Sequence, residues 1–158
     1  MDFLLRVEHL TPLMWVSHGK SIWGYPTILF FHTLGLGAVA GLSAGIDLCL
    51  LGFAPKVPSA SLRQLYPVVW LAFAISAVSG TILLLADAST KLVNPAFYVK
   101  MFFVALAVAN LHVLKTRVLL DPLVDTTPIS PNAKRLAVTS LFFWIAAITA
   151  GRLMAYVK

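Results

Sequence analysis

One cysteine, Cys49, is the whole thiol content of this 158-residue chain. An intrachain disulfide and a cysteine-rich metal centre are therefore excluded. The sequence has no Cys-x-x-Cys-His run for covalent haem attachment. Charge is scarce as well: charged residues make up 11% of the chain, against about 25% in an ordinary soluble domain. No serine–histidine–acid set or phosphate-binding loop can be assembled from the spacing, which leaves hydrolytic and phosphoryl chemistry without a basis. The apolar runs lack the alternation of a transmembrane barrel. The first residues carry acids at Asp2 and Glu8 and no basic stretch leading into an apolar core, so a cleaved signal peptide is not expected.

What the sequence does contain is apolar length. Hydrophobic residues reach 59% and the mean hydropathy is +0.89. A helix of about 20 apolar residues crosses a hydrocarbon core of roughly 30 Å. Residues 22–51, 62–86, 97–118 and 136–157 meet that length and occupy most of the chain. The expected fold is a single all-α domain over residues 1–158, a polytopic membrane four-helix bundle. A short interfacial helix is expected before it, where Phe3, Leu4, Leu5, Val7, Leu10, Leu13, Met14 and Trp15 mix with charges.

The boundaries carry start signals. Ser59 or Ser61 can cap the second span, Asn94 and Pro95 open the third, and Ser130 and Pro131 open the fourth. Pro67 predicts a bend early in the second span. Short connectors make neighbouring spans antiparallel, with both termini on one side (the terminal side) and the 1–2 and 3–4 loops on the other (the hairpin side). The net charge of +6 comes from lysines and arginines flanking the spans, where they meet lipid headgroups, so no nucleic-acid partner is expected. Basic residues are shared evenly between the sides, and those of the hairpin loops lie nearer the span ends, which favours a cytoplasmic hairpin side.

The runs "SIWGYPTILFFHTLGLG", "GIDLCLLGF", "NPAFYVKM" and "ITAGRLMAY" resemble a family of small four-span bacterial inner-membrane proteins known as a domain of unknown function. The resemblance extends over residues 21–156. It implies a bacterial inner-membrane location and a four-helix fold, and no activity. Cys49 stands where that family often has a basic residue, which leaves Asp47 without such a neighbour.

Ionisable residues inside a span point to function, because a charge at mid-helix costs roughly 2.5–3.5 kcal/mol. His32 lies roughly 13–14 Å along the first span at 1.5 Å per residue. A deep histidine in a cysteine-poor bundle is a natural axial ligand for haem b. A hydrogen-bonded structural histidine, and a quinone or proton-relay residue, are the other readings. Lys100 and Arg152 sit shallower on the same side, where haem propionates would hang towards water. His112 is the other histidine within a span. The two histidines differ in depth by roughly 9–21 Å, depending on how the spans are aligned, so His112 would ligate a second haem or be structural. Met101 is nearer His32 in depth and is a candidate second ligand. One or two haems are thus expected, with His32 and His112 on iron. Arg152 could instead pair with Asp87.

Gly37, Gly41 and Gly45 form a ridge about 180° around the first span from His32, while Ser43 and Asp47 fall within about 60° of it. The ridge predicts a homo-oligomer or docking on a larger membrane complex. Asp47 is expected to pair with Arg63 or Arg117, or to accept from His112. The leading functional expectation is a b-type-cytochrome-like electron-transfer protein, with quinone as a candidate partner. Its rival is a cofactor-free structural or assembly subunit, and a transporter is third because paired discontinuous helices are lacking.

Overall fold

The structure is a computed structural model that describes residues 23–54, 57–121, 129–154 and 156. The expected interfacial helix before the first span lies outside the described residues. Helix α1 runs Tyr25–Leu51, α2 Ser59–Leu85, α3 Ala88–Lys91, α4 Pro95–Leu114 and α5 Pro131–Leu153. A π-helical turn, Lys115–Leu119, continues α4. No strand occurs among the described residues. The four long helices, α4 taken with its π turn, are 23 to 27 residues long, roughly 35–40 Å at 1.5 Å per residue. Each can cross a bilayer, so the chain is a multi-pass membrane protein with an all-α four-helix bundle.

Local chemistry sets the helix ends. Asn94 accepts from Ala96 N at 2.9 Å and Ser130 accepts from Ala133 N at 3.2 Å, with Pro95 and Pro131 each following as the first helical residue. These match the expected caps. The second span differs: α2 starts behind Pro58 with no side-chain cap, and Ser59 Oγ instead accepts from Arg63 at 3.2 Å. Gly52 closes α1 at φ 99°, the left-handed geometry that glycine adopts without a Cβ penalty. Helix α2 passes through Pro67 without interruption. The proline lacks an N–H, so the Arg63 carbonyl loses its usual helical donor there.

The helices form a ring in which α1 packs against α2 and α5, and α5 packs against α4. The ring closes between α2 and the π turn on the hairpin side. Two apolar layers fill the interior. The hairpin-side layer centres on Ile46, Tyr66, Val69, Leu114 and Leu119. The other holds Val39, Ala72, Ala107 and Trp144. The outer faces are also apolar, with Phe30, Leu71, Phe102, Phe142 and Ile145 exposed, as lipid contact requires.

The α1–α2 contact is set by a glycine outside the expected ridge. A Cβ at Gly35 would lie 2.9 Å from both Ala72 O and Ser76 N, so the two backbones touch there. Gly37, Gly41 and Gly45 have nothing within 4 Å of the same position and face outward.

Candidate functional site

His32 projects from α1 onto α2. Its Nδ1 lies 2.9 Å from the Ser76 carbonyl oxygen. A carbonyl can only accept, so Nδ1 carries the proton, and in the neutral ring Nε2 keeps its lone pair. Ser76 Oγ donates in return to the His32 carbonyl at 3.4 Å. The imidazole lies against Gly80, where an added Cβ would be 2.8 Å from Cε1 and 3.1 Å from Nδ1. Gly80 therefore makes the space that the ring occupies. A histidine whose Nδ1–H is held by a backbone carbonyl presents Nε2 in a fixed direction, the arrangement found at histidine–metal sites.

Lys100 shares that part of the bundle. Its stem runs over Gly151 of α5, with Cδ and Cε 3.5 and 3.6 Å from where a Cβ would stand there. It is half-buried, and its charge reaches His32. Arg152, the next residue after Gly151, is exposed. Met101 is 48% exposed and turns outward, although its depth suits His32. His112, in the last turn of α4, is also exposed. Lys100 thus stands within electrostatic reach of His32, whereas His112, Met101 and Arg152 turn to the outer surface. Among the described residues no three histidine, cysteine or acidic side chains gather as a metal site.

Two expected ion pairs are replaced by other contacts. Asp87 pairs with Lys91 at 3.5 Å, one turn along the chain, rather than with Arg152. Asp47 meets neither Arg63, which donates to Ser59 Oγ, nor Arg117 and His112, which are both exposed. It turns instead toward α5, beside Ser140. Ser43 and Asp47 on α1, and Ser140 and Trp144 on α5, are all buried, at 1%, 2%, 0% and 3% exposure. Ser43 Oγ, Asp47 Oδ2, Ser140 Oγ and Trp144 Nε1 have no hydrogen-bond partner among the described residues. The Ser140 hydroxyl stands next to the carboxyl without closing a bond to it.

Sequence reasoning passed over Ser140, Trp144 and Asn110. Asn110 is buried in α4 and donates from Nδ2 to the Leu136 carbonyl of α5 at 2.9 Å. The criterion that singled out Asp47, a polar residue deep in an apolar run, would have found Asn110 and Ser140 as well. Trp144 gives no such signal, since an indole in a span reads as apolar bulk.

No protein-family model, curated protein or solved structure matches this chain.

Proposed function

We propose that this chain is a small b-type-cytochrome-like electron-transfer protein of the bacterial inner membrane. It would bind haem b non-covalently, with His32 Nε2 as an axial ligand. The observation behind this reading is the Nδ1–Ser76 hydrogen bond, at 2.9 Å, which leaves Nε2 unprotonated and aimed by the α1–α2 contact. Lys100 supports it: a half-buried cation whose charge reaches His32 suits an anionic propionate. Met101 and His112 face outward, so neither would supply the second axial position beside His32. His112 would serve only a separate haem on the outer face. Haem supplies one-electron chemistry when bound. The role of the chain is to hold it, exclude water and compensate its carboxylates. Quinol, the reduced lipid-soluble carrier, is the proposed electron donor, and the resemblance to four-span inner-membrane proteins supports the location.

A second reading has its own observation. The ridge of Gly37, Gly41 and Gly45 is open along its length, a surface that suits another helix better than disordered acyl chains. A cofactor-free structural or assembly subunit would use it in the same way.

The two readings separate on the purified protein, expressed with ample haem. A Soret band that His32→Ala abolishes supports the first. Gly80→Ala, which intrudes on the imidazole, should broaden or abolish the same band. A protein that is folded and oligomeric yet colourless in both redox states leaves only the structural reading.

A further inference from the structure

The four unpartnered polar atoms lie on one seam. Ser43 and Asp47 are four residues apart on α1, and Ser140 and Trp144 are four apart on α5, so each pair occupies one face, about 6 Å along its helix axis. Because α1 and α5 run antiparallel with Asp47 beside Ser140, Ser43 and Trp144 form the next rung. The hydroxyls behave unlike others in this protein. Thr33, Ser79, Thr81, Thr116, Thr139 and Thr149 each donate back to the carbonyl four residues earlier, at 2.6–3.0 Å. Ser43 and Ser140 make no such bond. Their hydroxyls are free for a partner between the helices, and so are Asp47 Oδ2 and the Trp144 N–H.

We propose that Ser43, Asp47, Ser140 and Trp144 form a buried proton-binding site, in which Asp47 takes up and releases one proton and water bridges it to the other three side chains. The donor set decides the ligand. An ionised carboxyl needs donors, and two hydroxyls and an indole N–H supply them. A protonated carboxyl needs an acceptor, and either hydroxyl can rotate to become one. The set therefore serves both states. A metal cation is poorly served: the helical carbonyls nearby are already engaged, two hydroxyls and one carboxyl are few ligands, and the indole N–H presents positive charge to the space. Buried water is stable where it finds two to four polar partners, and this seam has four such groups. Uptake forms one O–H bond on the carboxyl and breaks one O–H bond of a hydronium ion, leaving water and breaking no bond within the protein.

The surroundings contain little other charge. Tyr66, from α2, is a titratable side chain within reach of the Asp47 charge. Its hydroxyl donates to the Leu111 carbonyl of α4 at 3.4 Å. Lys115, from the π turn, places its ammonium 5.5 Å from the Tyr66 ring centre. On α5 the neighbouring buried residues, Ala137 and Ala147, are apolar. Asp47 lies four residues from the end of α1, roughly 6 Å inside it. Protons would thus exchange with water on the hairpin side, past Tyr66 and Lys115. The site is separate from His32, and its test does not depend on haem.

The experiment is infrared difference spectroscopy of the full chain in lipid, titrated with acid and base. A carboxylic-acid carbonyl band should appear on acidification, shift in heavy water and vanish in Asp47→Asn. Ser140→Ala and Trp144→Phe should keep the fold and displace the midpoint of the band by up to about one to two pH units, the change in proton affinity expected when the water-bridged network around the carboxylate loses one of its donors. The proposal is overturned if no Asp47→Asn-sensitive band titrates at any accessible pH. A midpoint indifferent to both α5 variants also overturns it, because Asp47 would then titrate alone. So does a band that sodium or potassium chloride abolishes at constant pH, which would mark a cation site.

Discussion

Gly35→Ala tests the contact on which the His32 geometry depends. The new methyl would meet Ala72 O and Ser76 N at 2.9 Å and Ser76 Cβ at 3.1 Å, where ordinary contact begins near 3.4 Å. The nearest two are backbone atoms that cannot rotate aside, so α1 and α2 must separate by about 0.5 Å, the shortfall at the tightest contact. Overpacking of this kind costs about 1–3 kcal/mol. The same separation, one turn along α1, would stretch the His32–Ser76 bond from 2.9 Å towards the limit of hydrogen bonding, a further loss of about 1 kcal/mol. Better helix propensity returns up to about 1 kcal/mol. The net expectation is a loss of about 1–3 kcal/mol. Gly41→Ala, with nothing within 4 Å, gains the propensity term alone and serves as the control. Reversible unfolding in mixed micelles, titrated with a denaturing detergent and followed by circular dichroism, measures both. If Gly35→Ala is as stable as Gly41→Ala, the reading of Gly35 as the backbone contact is wrong.

Gly41→Leu should leave the subunit folded, since no described residue lies within 4 Å of an added Cβ on the ridge, and should dissociate an oligomer built on that ridge. Mass measurement in mild detergent and in nanodiscs checks this, and a wild-type monomer in both media removes the oligomer. Asn110→Leu removes the bond to the Leu136 carbonyl and should cost about 0.6 kcal/mol, the average for interhelical polar contacts in membranes. The same unfolding titration reads it, and a variant at least as stable as wild type would show that the bond contributes nothing.

The location of the helices was legible in the sequence. Unbroken apolar length requires helices in a bilayer, because backbone groups there have no water to bond. Their start sites followed from Asn94, Pro95, Ser130 and Pro131, whose effect is local. The exception was the second span, where the expected serine cap lost to Pro58 and Ser59 turned to Arg63. The facing of each helix was another matter. A span that is apolar all round offers no hydrophobic stripe to orient it, and lipid accepts any of its faces. Only the packed bundle decided that Gly35, rather than Gly37, Gly41 or Gly45, would carry the α1–α2 crossing. It also decided that Asp47 would turn to Ser140 instead of an arginine, and that His112 would turn outward while Lys100 turned in. Each outcome depends on which backbones approach closely enough to exclude a side chain. That is a property of residues 37 to 93 positions apart in sequence, such as Gly35 with Ala72 and Asp47 with Ser140, and no local pattern contains it.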